Sequence, residues 1–280
     1  MKPVRGPREL PVTRENAAYQ HLTALRDNRV KRKQSREILV EGVAAVESLL
    51  ESGWRVKTAA RAMDRPLSAW AEEALRRARP ERVYLLSPSL MAALSEKEET
   101  SELILTAEMR APGCRDLVWG PGPPLFVVCD RPANPGNLGS IIRSCSAFAA
   151  DGLLVSGHAV DIYDPRTIRA SLGAIFGLTP VQLASNQEFE AWLSDLRSRA
   201  PALQVVGTSA RAELALAEVD FTRPTVIAIG NETDGLSGFY RRIADRCARI
   251  PMAPGVVSSL NAACAATVVL YEAVRQRGSC

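Results

Sequence analysis

The sequence predicts an α/β protein in which a smaller α/β domain precedes a larger domain built on a parallel sheet. In the second half of the chain, short and almost continuously apolar strands alternate with helical segments, as in a parallel sheet covered on both faces. Proline and glycine cluster at 111–113 and at 120–124, where neither helix nor strand can continue. We therefore place a linker at 111–123, between domains at 1–110 and 124–280.

Length and composition exclude several classes of protein. The chain has 280 residues, of which 46% are hydrophobic, enough for a packed core. No run approaches the roughly 20 apolar residues of a membrane span, and no apolar stretch follows the basic amino terminus, so we expect a cytoplasmic protein. The six cysteines form no C-x-x-C pair and only two histidines occur, which argues against a metal site, a disulfide framework and a Ser-His-Asp triad.

Basic residues are concentrated near the amino terminus. Residues 1–36 contain ten Lys or Arg against three acids, whereas the remaining chain contains 25 against 28. Such an arm suits a polyanion, because each neutralised phosphate releases counterions. A solvated surface is the alternative interpretation. The phosphate contacts that we select are Arg29, Lys31, Arg32 and Lys33.

The hydrophobic pattern of the first domain alternates between the helical and the strand period. Predicted helices cover about 13–27, 43–51 and 68–78, and predicted strands cover 38–40, 56–62, 83–86 and 103–105. Together they form a small α/β domain.

In the second domain the predicted strands are 125–129, 153–155, 203–206, 225–229 and 248–250. Pro135 and Gly136 are predicted to turn the chain into a helix that Asn137 caps and that starts at Leu138. A last helix is predicted at 259–276. Its apolar stripe, which we expect to be buried against the sheet or a partner subunit, consists of Leu260, Ala263, Cys264, Thr267, Val268 and Tyr271.

Polar segments follow three of these strands, at the sheet edge where open α/β sheets bind ligands. They are the run from Asn134 to Arg143, the run from Gly230 to Ser237, and Ile250-Pro251-Met252 with Ser258-Ser259-Leu260-Asn261. Each has a plain structural interpretation, because Asn137 and Ser259 could cap helices, Arg143 could extend to solvent and Glu232 could be a loop carboxylate. A dehydrogenase would share the strand and helix pattern, but no G-x-G-x-x-G follows a strand and no phosphate-binding P-loop occurs.

Taken together and in this order, the three segments resemble the motifs of the SpoU (TrmH) class of SPOUT RNA ribose 2'-O-methyltransferases, over about residues 124–276. The resemblance implies a trefoil knot, a rare exception to the usual topology of protein chains. It also implies S-adenosylmethionine as cofactor and a homodimer through the catalytic domain. The first domain is similar to the L30e/L7Ae RNA-binding fold, on the basic residues Arg29, Lys31, Arg32 and Lys33 and the run from Ile38 to Gly42.

The resemblance also implies roles for individual residues. The catalytic set is Asn137, Arg143, Glu232, Ser259 and Asn261. The cofactor-binding set is Thr208, Gly230, Asn231, Ile250, Pro251, Met252 and Leu260. An arginine has a pKa above about 12 and is a poor base, so we expect Arg143 to orient the ribose-phosphate and to stabilise the emerging oxyanion. Asn134 stands where the family often has Asp, which argues against a charged role there.

The function predicted from this resemblance is S-adenosylmethionine-dependent 2'-O-methylation of RNA. Ribosomal RNA, 23S in particular, is favoured because a separate L30e-type domain is similar to the ribosomal-RNA branch of the class, which includes thiostrepton- and avilamycin-resistance enzymes. A transfer-RNA 2'-O-methyltransferase is the first alternative. A catalytically silent RNA-binding or assembly protein is the second, and the joint presence of Arg143, Glu232, Ser259 and Asn261 argues against it.

Overall fold

A computed structural model of the protein describes residues 7–95, 99–253, 255 and 258–278. Up to residue 110 the elements are β1 (Arg8–Val12), α1 (Ala17–Asp27), α2 (Arg29–Ser35), β2 (Glu37–Glu41), α3 (Val43–Glu51), β3 (Val56–Ala62), α4 (Ala69–Ala78), β4 (Arg82–Leu86), α5 (Pro88–Leu94) and β5 (Leu103–Glu108). After it they are β6 (Leu125–Asp130), α6 (Pro135–Ala147), β7 (Gly152–Ser156), α7 (Pro165–Ala170), α8 (Ala174–Gly177), β8 (Val181–Gln182), α9 (Asn186–Arg199), β9 (Gln204–Thr208), β10 (Leu214–Ala215), β11 (Thr225–Ile229), α10 (Gly238–Ile243), β12 (Arg246–Arg249) and α11 (Ala262–Arg277). Short 3-10 helices lie at Cys114–Asp116 and Leu216–Glu218.

The chain folds into two compact units, and one segment from the later part of the chain belongs to the first unit. The first unit contains the described residues up to Arg110 together with Tyr163–Gly177. The second contains Ala111–Ile162 and the described residues from Leu178 onward. The chain therefore passes between the units three times, whereas the sequence predicted only the passage at 111–123.

The first unit is built on a mixed sheet with strand order β1-β4-β3-β5-β2. Strands β1, β4 and β3 are parallel, and β5 runs antiparallel to both β3 and β2. Helices α1 and α5 contribute Tyr19, Leu22, Leu25 and Met91 to its core, against Leu86 of β4. The predicted small α/β domain is thus confirmed, with β1, α2 and α5 as additions that the apolar pattern did not predict.

The segment Tyr163–Gly177 packs on α3 and on the residues that follow it. Ser48 Oγ donates to the carbonyl of Gly173 at 2.7 Å, and the Trp54 indole N–H donates to the carbonyl of Phe176 at 3.1 Å. The rings of Trp54 and Phe176 meet edge to face with centroids 5.0 Å apart. A Cβ on Gly173 would lie 2.6 Å from Ser48 Cβ, so only glycine permits this approach.

The second unit confirms the predicted parallel sheet. Its strand order is β10-β12-β9-β11-β6-β7-β8, and every recorded pairing is parallel. On one face, Phe189 and Trp192 of α9 pack with Tyr240 of α10 against Phe126 of β6. Helices α6 and α11 contact one another, and Ser144 Oγ and Thr267 Oγ1 share a hydrogen bond of 2.7 Å between them. None of the helices in the described part of the chain has the length and hydropathy that a membrane crossing requires.

Both predicted helix starts in this unit are wrong. Helix α6 starts at Pro135, and Asn134 rather than Asn137 caps it by accepting from the Asn137 N–H at 3.1 Å. Helix α11 starts at Ala262, with Asn261 rather than Ser259 as its cap. Pro135 therefore occupies the first helical position, where its missing N–H costs nothing.

The predicted apolar stripe of the last helix is only partly buried in this chain. Ala263 is buried, but Leu260, Val268 and Tyr271 are 38%, 37% and 51% exposed and Cys264 is exposed as well. The residues that the helix buries are Ala263, Ala266, Val269, Leu270, Ala273 and Val274. The helix thus has two apolar faces, and the predicted stripe lies mostly on the outer one.

Candidate active site

The structure gathers the predicted catalytic-domain residues at one edge of the second sheet. Thr208 ends β9, Gly230 follows β11, Ile250 follows β12, and Asn137 lies in the first turn after β6. Strands β12, β9, β11 and β6 are consecutive neighbours in the sheet and all parallel. Their carboxyl ends therefore meet, as the sequence predicted for a ligand site.

Three side chains from the three motif segments form a continuous hydrogen-bonded chain. Asn261 Nδ2 donates to Asn137 Oδ1 at 3.0 Å, and Asn137 Nδ2 donates to Glu232 Oε1 at 3.0 Å. Asn261 Oδ1 is occupied by the Ala263 N–H at 2.8 Å. Because a carboxylate only accepts and a backbone N–H only donates, both amide orientations are determined. We call this arrangement the Asn261–Asn137–Glu232 chain.

The Glu232 carboxylate receives donors on both oxygens. Oε1 also accepts from the Asn134 N–H at 3.2 Å, and Oε2 accepts from the Ala133 N–H at 3.0 Å and from Asn231 Nδ2 at 3.5 Å. With the Asn137 bond, the four acceptor sites of a carboxylate are used. Partial burial acts to raise the pKa of Glu232, but the hydrogen bonds from Ala133, Asn137 and Asn134 outweigh it, so the pKa lies below its ordinary value. The geometry is that of a fixed anion, not of a proton acceptor.

Arg143 and Ser259 lie outside this chain of hydrogen bonds. Arg143 is exposed, and among the residues that the structure describes it has neither a hydrogen bond nor an ion pair. Its exposure agrees with the plain structural interpretation, because the neighbouring Ile141 and Ile142 are buried while Arg143 faces solvent. Ser259 is exposed too, and its predicted capping role belongs to Asn261.

The other half of this edge combines the tight loop after β11 with the apolar residues that follow β12. A Cβ on Gly230 would lie 2.4 Å from the backbone of Gly235 and Leu236, so the loop after β11 closes against bare backbone. Thr208 Oγ1 donates to the Ala228 carbonyl at 3.2 Å and joins β9 to β11 at this point. Ile250 and Met252, which follow β12 in the sequence, have half-buried apolar side chains, and Leu260 is exposed. Backbone groups with apolar walls fit a nucleoside. Pro251 is exposed.

Two residues that sequence reasoning missed join the first two motif loops. Asp130 is 3% exposed and accepts from the Ser237 N–H at 2.6 Å. Arg131 donates to Asp130 at 3.0 Å and to the Gly235 carbonyl at 3.2 Å. A signal was present, since both are charged and stand at the carboxyl end of an apolar strand.

The predicted RNA-binding residues separate into two groups. Lys31 and Lys33 are exposed on α2 and Arg29 is half-buried. Arg32 is only 2% exposed and donates to the carbonyls of Leu25 and Arg26 at 2.7 and 2.8 Å. A buried guanidinium that joins α1 to α2 does not present a charge to phosphate, so the selection of Arg32 is wrong. Lys2 and Arg5, counted in the basic arm, lie outside the described residues.

No cluster of metal ligands stands out in the described residues, and the cysteine of β6 is held in its neutral form. Within them no group of three or more His, Cys, Asp and Glu side chains is arranged to hold a metal ion. Cys129 is the penultimate residue of β6. Its burial raises the pKa of the thiol to about 12, and the negative charges of Glu232 and Asp130 raise it further in the same direction. Such a thiol stays protonated at neutral pH.

Comparison with known proteins matches both halves of the chain. The model of the SpoU rRNA Methylase family matches residues 124–271, and that of the SpoU L30e-like domain matches residues 16–106, which confirms the predicted L30e-like fold. The chain is 43% identical to the 23S rRNA (uridine(2479)-2'-O)-methyltransferase of Streptomyces viridochromogenes, over 98% of this chain and 94% of that protein.

Two solved structures extend the comparison. The SpoU methyltransferase AviRb from Streptomyces viridochromogenes in complex with the cofactor AdoMet superimposes with a TM-score of 0.89 at 43% identity, over 95% of this chain and 99% of that one. An AdoMet-bound rRNA methyltransferase from Sinorhizobium meliloti superimposes with a TM-score of 0.82 at 29% identity, over 95% and 98% of the two chains.

Proposed function

Because this chain belongs to the SpoU rRNA methylase family, we propose that it transfers the methyl group of S-adenosylmethionine to a ribose 2'-hydroxyl of RNA, with 23S ribosomal RNA as the substrate. The observation that carries the proposal is the Asn261–Asn137–Glu232 chain, which joins the three predicted motifs at the carboxyl ends of β6 and β11. A relative that is similar over nearly its whole length and is named for the 23S product supports the choice of RNA.

Cofactor binding is assigned to the loops after β9, β11 and β12. Gly230 offers its backbone and Asn231 the second lone pair of its carbonyl oxygen, because the Asn231 N–H is already held by Gly235. Ile250, Met252 and Leu260 offer apolar surface for the adenosine, with Thr208 and Pro251 at the margins. S-adenosylmethionine, when bound, supplies an electrophilic methyl group on a sulfonium. The trefoil knot implied by the sequence resemblance belongs to this proposal.

Catalysis by this chain rests on positioning. An in-line displacement needs the ribose hydroxyl held in one orientation, which lowers the barrier by several kcal/mol, about 7 or more in favourable cases. Asn137 and Asn261 each keep one amide N–H that the hydrogen-bonded chain does not use, and these donors can hold a ribose oxygen. Glu232 fixes the first amide, and Arg143 offers a solvent-facing guanidinium for the adjacent phosphate. Ser259 lies beside Asn261 as a further donor to substrate.

In this mechanism no carboxylate at the sheet edge removes the proton of the ribose 2'-hydroxyl. Glu232 is a saturated anion with a lowered pKa, and Arg143 is a poor base. We assign the proton of the 2'-hydroxyl to the RNA phosphate beside Arg143 or to solvent, while Arg143 stabilises the oxyanion.

We also propose a homodimer through the second unit. The outer face of α11 exposes Cys264, Val268 and Tyr271 at helical spacing, and the Tyr271 ring meets Phe148 with centroids 6.3 Å apart. An apolar stripe of this kind on a helix is a typical contact surface. The RNA substrate supports the expected cytoplasmic location. Drug resistance, a role suggested by the resemblance, would follow where the methylated nucleotide contacts an antibiotic.

The deciding experiment is methylation of purified RNA by the full-length protein. Tritium transfer from labelled S-adenosylmethionine to 23S rRNA, and a single new 2'-O-methyl stop on primer extension, are expected. Transfer to tRNA instead would replace the substrate with that of the first alternative. RNA binding without any transfer, by protein that binds S-adenosylmethionine, would leave the silent RNA-binding protein. Comparing rRNA from cells with and without the protein identifies the nucleotide.

A further inference from the structure

We propose that Arg131 is a positioning residue, whose side chain and backbone hold the loop Gly230–Gly235 in the conformation that presents Glu232 to Asn137 and closes the cofactor side. The inference rests on the proposed function for the meaning of that loop. Its physical part, that Arg131 controls the loop, stands on the contacts alone.

The loop is a tight turn with few contacts of its own. Asn231 and Gly235 exchange backbone hydrogen bonds of 3.0 Å in each direction, and Gly235 adopts a left-handed φ of +66°. Asn231 Oδ1 accepts from the N–H groups of Thr233 and Asp234 at 2.9 and 3.1 Å. Within the loop, therefore, Asn231 organises the turn, but these bonds do not attach the turn to the sheet.

Glu232 attaches the middle of the turn to Ala133, Asn134 and Asn137, and Arg131 attaches its two ends. The Arg131 carbonyl accepts from Asn231 Nδ2 at 2.8 Å, and its guanidinium donates to the Gly235 carbonyl at 3.2 Å. Arg131 therefore hydrogen-bonds to both ends of the loop, at Asn231 and at Gly235. The guanidinium itself is anchored on the buried carboxylate of Asp130, with bonds of 3.0 and 3.4 Å. Asp234, 3.8 Å from Arg131 and 70% exposed, adds little.

The backbone of Arg131 is strained in this arrangement. Arg131 has a φ of 52°, in the left-handed region that non-glycine residues avoid. A Cβ on Gly157 would lie 2.6 Å from Arg131 Cγ, so glycine at 157 makes room for the side chain. A residue held in a strained conformation beside a site, with a slot built for it, is a candidate for a functional role.

Glycine at this position isolates the contribution of the side chain from that of the backbone. Arg131→Gly relieves the left-handed backbone but leaves the buried Asp130 carboxylate with the Ser237 N–H and without its guanidinium, so we expect the melting temperature to fall and the pattern of hydrogen exchange to separate the loop from the rest of the fold. Ala149→Gly is the matched control, because Ala149 is exposed with a φ of 48° in the same unit. Arg131→Lys keeps a charge but not the fork of donors, and we expect it to restore little.

The test measures hydrogen exchange in the full-length protein without cofactor, followed by calorimetry with S-adenosylmethionine. In Arg131→Gly we expect amides of 230–236 to exchange at least about tenfold faster, while β6 and β11 exchange as before. We expect the dissociation constant for S-adenosylmethionine to rise about tenfold, which corresponds to about 1.4 kcal/mol. Ala149→Gly should change neither quantity.

Unchanged exchange at 230–236 would overturn the proposal, as would an equal increase throughout the sheet, which would make Arg131 a general stabiliser. Faster exchange confined to the loop, with an unaltered dissociation constant, would overturn its link to the cofactor. If the unmodified protein failed to bind S-adenosylmethionine, the proposed function would fall while the exchange data still decided whether Arg131 holds the loop.

Discussion

At the scale of single residues, the active-site edge depends on the charge of Glu232. Glutamine at this position would place an amide N–H against one pair of donors that now point at an oxygen, since the carboxylate accepts from Ala133, Asn134 and Asn137. We expect Glu232→Gln to lower kcat at least about 30-fold, or about 2 kcal/mol, because charge-assisted hydrogen bonds are lost. Single-turnover methylation measures the effect, and the melting temperature of the variant serves as its control.

The pH dependence of the same residue distinguishes a fixed anion from a general base. Because the folded-state pKa of Glu232 lies below its ordinary value of 4.5, the anion and its bonds are complete above that pH and are lost as pH falls through the lowered pKa. Affinity for S-adenosylmethionine should therefore be level from about pH 7 to about pH 5, below the range in which the amino group of the cofactor titrates. An acidic limb near pH 6 to 7 that disappears in Glu232→Gln would contradict the assignment.

Arg32 contributes to stability rather than to RNA affinity. Its buried guanidinium donates to the last-turn carbonyls of α1 while belonging to α2. Arg32→Gln should cost about 2 to 4 kcal/mol of unfolding free energy, because buried acceptors lose charge-assisted donors. Lys33→Gln, one position away and exposed, is the control and should leave the unfolding midpoint in denaturant unchanged. Equal midpoints for the two variants would refute the structural role.

Residue types and order were sufficient to predict which residues gather at the sheet edge, but not what each contacts. Capping propensity alone favours Asn134 and Asn137 equally, and the preference of proline for the position after the cap, which identifies Asn134, was not used. The buried or exposed state of Arg143 and Arg32 depends on which face of a helix meets the core. In short basic or mixed helices that face is set by tertiary packing, not by periodicity.

At the scale of elements, the outer face of α11 decides the oligomeric state. Val268→Asp places a charge in the exposed apolar stripe, and burying an unpaired charge opposes association. We expect the protein to change from dimer to monomer in light scattering at micromolar concentration. Val30→Asp, on a valine that is 59% exposed on α2, should leave the mass unchanged. A dimer that survives Val268→Asp would place the interface elsewhere.

Helix α2 is the element that we expect to contact RNA phosphates through Arg29, Lys31 and Lys33. Each lost phosphate contact removes about 0.7 to 0.9 from the logarithmic salt slope, so replacing all three by Gln should flatten it by about 2 to 3. Affinity should fall alike for cognate and unrelated RNA. The control carries the same change of net charge at exposed arginines of the first unit, Arg55, Arg76 and Arg82. An unaltered slope in the α2 variant would leave that helix a solvated surface.

Elements with a strong hydrophobic period were predicted well and capped elements less so. The strand at 56–62 and the helix at 43–51 agree with β3 and α3 to the residue. Helix α2 was not predicted, because its seven residues carry no apolar face and its start depends on Asn28, whose side chain accepts from the N–H groups of Val30 and Lys31. Such local side-chain bonds have no period to detect.

At the scale of the whole molecule, the segment Tyr163–Gly177 is the feature that no pattern in the sequence disclosed. Its two helices, α7 and α8, are short, and its membership of the first unit arises from contacts with residues more than 100 positions away, such as Ser48 and Trp54. Contacts between residues so far apart leave no local pattern in the sequence, whereas the strands of a parallel sheet are recognisable as short apolar runs.

Gly173→Ala tests the importance of this segment. The left-handed φ of 84° and the 2.8 Å between the added Cβ and the Ala44 carbonyl leave no room for a side chain. We expect a loss of about 2 to 4 kcal/mol, seen as a fall in the melting temperature of several degrees. Gly177→Ala is the control, because nothing lies within 4 Å of its added Cβ. Similar melting temperatures for both variants would show that the segment yields freely.

The segment Tyr163–Gly177 also sets an order of events during biosynthesis. Gly177 leaves the ribosome 67 residues after Arg110, counted from 110 to 177. At about 5 to 20 residues per second, the nascent chain waits about 3 to 13 s between the synthesis of Arg110 and that of Gly177, the last residue of the segment that covers Trp54. Throughout that interval α3 and the indole lack their covering, so translation speed over residues 111–177 governs how long a chaperone has access to the unfinished amino-terminal unit.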